Sequence, residues 1–242
     1  MTLKENIEEL QERMKYSGFG DTVNPELEKQ IKDGKEKIVL GMSKIVDDRK
    51  LEYALHFRQS DEGRYYYNGF DATLTKPDDT QQSHRFYQNQ GISAKEAFNL
   101  LEGRAVFKSL FNKEGERYNA WIQLELDVRD GNGKHPVTHF HQNYGFELEK
   151  AVEKLPLKYM DGDEQRDMLH YSLKKGNQHQ VEIEGRDGKF QLEANPRYKN
   201  LNLIDAQGTR IKLNELSVAQ RQVTLEVKKK DQDQTSQRKV KV

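Results

Sequence analysis

Beyond Gly34 the apolar residues of this chain recur at every second position, segment after segment. Ile38, Leu40 and Met42 form the first such run, Leu51, Tyr53, Leu55 and Phe57 the second, and Phe70, Ala72 and Leu74 the third. The pattern returns in Ala120, Ile122, Leu124, Leu126 and Val128, and in the pairs Val181 with Ile183, Phe190 with Leu192 and Leu201 with Leu203. Val223, Leu225 and Val227 repeat it a last time. A period of two sets one face of an extended strand on a core and the other in water, the habit of antiparallel sheets. Between the runs, Asp130-Gly131-Asn132-Gly133, Asp187-Gly188 and Gln207-Gly208 supply residues that accept the positive φ of tight hairpins.

Helices fill the intervals. Leu3, Ile7, Leu10 and Met14 recur at helical spacing, with Gly18 and Gly20 where that helix should stop. Asn24-Pro25-Glu26 predicts a second, with Asn24 as its cap and Pro25 at the first helical position, running through Leu27 and Ile31 to Gly34. Ser93-Ala94-Lys95-Glu96 reads as a capping box for a third, which buries Ala97, Leu100 and Leu101 and ends at Gly103. Residues Leu148 to Leu155 predict a helix that stops before Pro156. Another starts at Asp163-Glu164, carries Met168 and Leu173, and ends at Gly176. The expected class is α+β: mostly antiparallel sheets, short helices and a flexible C-terminal tail.

One motif occurs twice. Phe86-Tyr87-Gln88-Asn89-Gln90-Gly91 returns 54 residues later as Phe140-His141-Gln142-Asn143-Tyr144-Gly145, and Ala97 and Leu101 match Ala151 and Leu155 at the same offset. Upstream, Phe70, Ala72 and Leu74 fall on Leu124, Leu126 and Val128 with strand parity kept, and a one-residue slip would reverse every inward position. The repeated unit is expected to be strand, turn, strand, Gln-Asn-x-Gly and helix. Gln-Asn-x-Gly itself reads either as a self-capped turn or as a polar recognition element. A looser echo, Lys32-Asp33-Gly34, Leu101-Glu102-Gly103 and Lys174-Lys175-Gly176, closes three helices before strands. These marks divide the chain into a helical segment (1–34), an α+β unit (35–103), its repeat (104–160), a helix-plus-hairpin unit (161–227) and a disordered basic tail (228–242).

Composition removes several classes of function. Forty basic and 40 acidic side chains cancel to a net charge of zero, so no whole-protein field draws in nucleic acid or an anionic membrane. Without cysteine there is no disulfide framework, thiol nucleophile or Cys-ligated metal. Neither a signal peptide nor an apolar run near the roughly 20 residues of a membrane span is recognisable. A soluble, cytoplasmic protein without a membrane partner is expected.

Chemistry-bearing candidates are few. His139 and His141 lie two apart on a strand and share a face, which suits two metal ligands, but no third ligand stands at a telling spacing. Asp161-Gly162-Asp163 reads first as a helix start, and Asp127, Asp130 and Asn132 read as a hairpin turn rather than a calcium loop. Phosphate-loop, His-Glu-x-x-His and Gly-x-Ser-x-Gly motifs are absent. No cofactor or catalytic residue is expected. Tyr65, Tyr66 and Tyr67 are consecutive, so at least one faces outward, and Trp121 falls on the polar face of its strand by parity. With Arg64 and Arg85 nearby, Tyr66 and Trp121 could stack on bases or anchor a protein, and Lys228, Lys229 and Lys230 could touch phosphates.

Several stretches resemble a family of uncharacterised proteins carried on mobile elements of Bacteroidetes. They are Gly91 to Val106, Asn112 to Leu124, Glu193-Ala194-Asn195-Pro196-Arg197-Tyr198-Lys199, and Leu55-His56-Phe57-Arg58 followed by Phe70 to Leu74. The resemblance implies a setting on conjugative or integrative elements, beside DNA-processing genes, and supplies no catalytic residues. The expected function is a non-enzymatic binding or accessory protein acting through protein contacts. A nucleic-acid-binding module is the alternative, and a metal-dependent enzyme at His139 and His141 the second alternative.

Overall fold

A computed structural model describes residues 2–131, 134–158 and 162–213. The strand expected at Val223 to Val227, the tail with Lys228, Lys229 and Lys230, and Asn132 and Asp161 lie outside the described residues. The fold is α+β, with three antiparallel sheets among the described residues. The chain forms two compact units, one of residues up to Gly145 with Lys174–Asn177, the other of Phe146–Leu173 and residues from Gln178 onward. The expected segments 1–34 and 35–103, and most of 104–160, thus fall within the first unit.

The first unit begins with α1 (Leu3–Tyr16) and α2 (Asn24–Lys32). A four-stranded meander follows: β1 (Lys37–Val46), β2 (Arg49–Gln59), β3 (Tyr65–Thr75) and β4 (Gln81–Tyr87). β1 and β2 are joined by Asp47-Asp48 alone, both left-handed at φ 48 and 59, as a two-residue hairpin that follows the strand twist requires. One face of this sheet meets the helices in a single apolar core. Ile7, Leu10, Met14, Leu27 and Ile31 pack with Ile38, Leu40, Leu51, Leu55, Phe70 and Leu74, all under 7% exposed. α3 (Ala94–Leu101) and a smaller sheet of β5 (Val106–Phe111), β6 (Arg117–Leu124) and β7 (Val137–His141) complete the unit.

In the second unit α4 (Leu148–Glu153) and all but the last residue of α5 (Asp163–Lys174) accompany a sheet of β8 (His179–Val181), β9 (Phe190–Asn195), β10 (Asn200–Ile204) and β11 (Arg210–Ile211). Leu169 and Leu173 are buried on α5, whereas Met168 is 60% exposed, one position out of phase. Each of the three sheets follows a helix closed by a left-handed glycine: Gly34 at φ 72, Gly103 at φ 80 and Gly176 at φ 76.

The caps differ in one place. Ser93 and Glu96 form the reciprocal box, with the Glu96 amide donating to Ser93 Oγ and the Ser93 amide to Glu96 Oε2. Asn24 is inside α2 instead of capping it; its side-chain amide donates to Asp21 and the capping position is Val23.

The duplicated motif keeps its local form. β4 and β7 each run into a 3-10 turn, Gln88–Gln90 and Gln142–Tyr144, then a left-handed glycine, Gly91 at φ 59 and Gly145 at φ 85, and then a helix. Phe86 and Phe140 are buried at 2% and 6%. Two features differ. Phe86 pairs with Phe70, but Phe140 pairs with Trp121, so the strands upstream correspond at 51 residues, not 54. The longer connection between β6 and β7, residues 125–136 against 76–80, absorbs the slip and ends β6 before Leu126 and Val128. In addition α3 packs on β3 and β4, whereas α4 packs on β10 within the second unit.

Candidate functional site

β3 opens with three tyrosines whose directions alternate. Tyr65 and Tyr67 point to the core at 1% and 7% exposure, and Tyr66 stands in solvent at 45%. Asn6 of α1 holds the strand in place, its side-chain amide donating to the Tyr65 carbonyl and its oxygen accepting from the Tyr65 amide. Two residues beyond Tyr67 the register shifts at a bulge opposite His56 and Phe57. Gly69 sits there at φ 128, and a Cβ on it would lie 2.2 Å from the Phe86 carbonyl oxygen. Only glycine lets β3 and β4 approach so closely. That approach brings Tyr66 of β3 and Tyr87 of β4, 48% exposed, to the same groove.

The turn after Tyr87 is self-pinned. Gln90 Oε1 accepts from the Tyr87 amide at 2.8 Å and Gly91 turns the chain into α3. Gln88 and Asn89 therefore stand at a fixed place along the rim. A cleft of about 160 Å³, lined by Arg13, Tyr16, Tyr67, Gln88, Ile92 and Lys175 among others, occupies one side. It shares Arg13, Tyr67, Tyr87 and Gln88 with an open groove of about 630 Å³ that also touches Tyr66, Asn68, Asn89 and Gln90.

Arginines brace the two exposed rings. Arg64 lies 5.0 Å over Tyr66 and pairs with Glu9 at 2.9 Å; Arg85 lies 5.6 Å over Tyr87 and pairs with Asp71 at 3.3 Å. His56 Nε2 meets the same Asp71 carboxylate at 2.6 Å. Both arginines are thus charge-compensated and stiffen the rings they cover. Burial pushes the Tyr67 hydroxyl well above its ordinary range, opposed by the nearby Arg13 charge, so Tyr67 is a neutral donor at physiological pH.

Beneath the cleft lies Glu96, only 1% exposed. Lys108 and Lys175 meet its Oε1 at 3.2 and 2.9 Å, and Lys108 also donates to the Gly91 carbonyl at 2.6 Å. Burial alone would raise this carboxyl, but Lys108, the Ser93 amide and Lys175 outweigh it and hold it below the usual range. This network fixes the start of α3 and the floor of the cleft.

Of the residues singled out in the sequence, Arg64, Tyr66 and Arg85 are gathered around the groove. Trp121 is not exposed: it is 4% accessible, packed edge-on against Phe107 at 5.4 Å and paired across strands with Phe140. Parity placed it opposite Ile122 correctly, but its own face is also buried at this point, where it lies between Phe107 and Phe140 on the neighbouring strands. His139 and His141 do share a face, with ring centroids 6.1 Å apart. Tyr118 Oη lies 3.3 Å from His139 Nδ1 and its ring lies over His141, so the three form an aromatic ladder. Burial, helped by His141, lowers the His139 ring. Among the described residues no group of three or more His, Asp or Glu is placed to hold a metal. Asp130 closes its hairpin by accepting from the Lys134 amide, and Asp163 opens α5.

Sequence reasoning missed Arg13, which reads as an ordinary cation in the last turn of a helix, complementing its dipole. No family model, no curated protein and no solved structure matches the chain.

Proposed function

We propose that this protein is a non-enzymatic binding protein whose first unit takes a segment of a protein partner in the groove between Tyr66 and Tyr87. Within the setting that the family resemblance implies, it serves as an accessory protein of a mobile element. The observation carrying this reading is the bracing of two half-exposed tyrosines by arginines already paired with Glu9 and Asp71. Rigid aromatics that lose little entropy on contact are the usual anchors of protein interfaces. Nucleic acid would need cations free to neutralise phosphates, and these two arginines are spent within the fold. Gln88, Asn89 and Gln90 along the rim offer amides for a partner's backbone, the recognition role left open for the repeated motif.

Peptides selected from a random display library against the full chain provide the test. NMR mapping of a selected peptide should move the signals of Tyr66, Tyr87 and Gln88 to Gln90, and an oligo-dT titration at physiological salt should leave them still. Sub-micromolar oligo-dT binding at those residues would replace this reading with the nucleic-acid one.

A further inference from the structure

The cleft and the groove meet at two side chains whose polar ends are unengaged. Arg13 makes no side-chain hydrogen bond or ion pair among the described residues, although it lines both spaces. Tyr67 also lines both, and its hydroxyl is buried without a hydrogen-bond partner in a residue only 7% exposed. Buried hydroxyls are normally paired, so the unpaired one beside the exposed Arg13 guanidinium has a hydrogen bond left to give to an acceptor from outside. The surrounding charge agrees. Glu96 is the carboxylate of the cleft, and it is shared between Lys175 and Lys108, which leaves the Arg13 charge uncompensated. A volume of about 160 Å³ corresponds to about five waters at their share of liquid volume, room for a small oxyanion.

We infer that Arg13 and Tyr67 form an oxyanion subsite that takes the carboxylate of an aspartate or glutamate side chain from the segment bound in the groove. This rests on the binding reading above. A guanidinium offers two parallel N–H donors that match a planar carboxylate, and the Tyr67 hydroxyl donates a third hydrogen bond from the side. Lys175 and Lys108 neutralise Glu96, so the planar fork of the Arg13 guanidinium, and not the charge of the lining, favours a carboxylate here. Gln88, common to both spaces, is placed to bond the partner's backbone next to its acidic residue.

The test uses the full chain, with acetate and inorganic phosphate as separate NMR titrants observed at the Arg13 Nε–H and the Tyr67 ring. Acetate should shift both signals saturably at millimolar concentration. The Tyr67 ring shift should disappear in Arg13→Gln, and the Arg13 Nε–H shift should shrink at least threefold in Tyr67→Phe, two variants that keep the fold's packing. Persistence of the Tyr67 ring shift in Arg13→Gln, no response to acetate, or phosphate saturating at tenfold lower concentration overturns the subsite. A display-selected peptide supplies the second arm. Exchanging its acidic residue for the amide should weaken binding at least tenfold in the native chain and leave Arg13→Gln unaffected, whereas amidating the peptide's C-terminus should change nothing. Peptides that occupy the groove without an acidic requirement leave the groove reading intact and overturn the subsite. Failure of every peptide, with acetate still bound at Arg13, overturns the groove reading alone.

Discussion

The side chain of Asn6 closes both backbone groups of Tyr65, accepting from its amide at 2.8 Å and donating to its carbonyl at 3.0 Å. Asn6 is 3% exposed, so this pair stands in for the missing strand neighbour at the start of β3 and fixes α1 relative to Tyr66 and Tyr67. Asn6→Leu leaves two buried backbone groups unsatisfied and should cost about 1–3 kcal/mol in urea unfolding, since a lost partner exposes the full desolvation penalty. Peptide affinity should fall with it. An unchanged unfolding midpoint would show that water takes over both bonds.

Gly69 should tolerate nothing larger. A Cβ there meets Phe86 O at 2.2 Å and Tyr87 Cα at 2.9 Å, at a φ of 128 that other residues avoid. Gly69→Ala should therefore lower stability by about 1–3 kcal/mol through backbone strain and displace the Tyr87 ring. Gly41→Ala on β1, where a Cβ meets nothing within 4 Å, is the control and should be close to neutral. Thermal melts of the two variants side by side decide the matter.

Ser93 anchors the floor of the cleft. Its hydroxyl accepts from the Glu96 amide at 3.3 Å and lies 2.9 Å from the Glu96 carboxylate. Ser93→Ala should cost about 1 kcal/mol, the usual loss of a helix cap. Ser93→Asp restores an acceptor but sets a second carboxylate against Glu96, so it should not recover the loss.

Much of this fold was legible because its strands obey period two and its turns use glycine or aspartate. β1, β2 and β3 and the box at Ser93 follow from residue types alone. β5 escaped because Val106-Phe107-Lys108-Ser109-Leu110-Phe111 buries only Val106 and Leu110, too few positions to set a period. Trp121 escaped for the opposite reason, since alternation tells which residues share a face but not whether that face is covered. Half the candidate site was visible in Tyr66, Arg64 and Arg85. Arg13 was not, because it approaches Tyr67 through a tertiary contact 54 positions away that no local pattern encodes.

His84 should make stability depend on pH. It packs against Phe86 with ring centroids 4.9 Å apart, and burial, reinforced by His135 and Lys134, pushes its ring down from 6.5 to about 4. Between those values the unfolded chain binds a proton that the folded chain refuses, so this contribution is complete above pH 6.5 and fades as pH falls to about 4. Melting temperatures of the native chain and His84→Gln across that window should converge as pH drops. Parallel curves would mean that the His84 ring takes up its proton equally in the folded and the unfolded chain.

The most direct measurement is the affinity of one display-selected peptide for the native chain, for the double variant Tyr66→Ala/Tyr87→Ala, and for Tyr198→Ala. Tyr198 is 70% exposed in the second unit and serves as an aromatic control. Losing two interface anchors of about 1–2 kcal/mol each should raise Kd by at least tenfold in the double variant, with Tyr198→Ala unchanged. Equal affinities for the native chain and the double variant would contradict the account, because the braced tyrosines would then carry no binding.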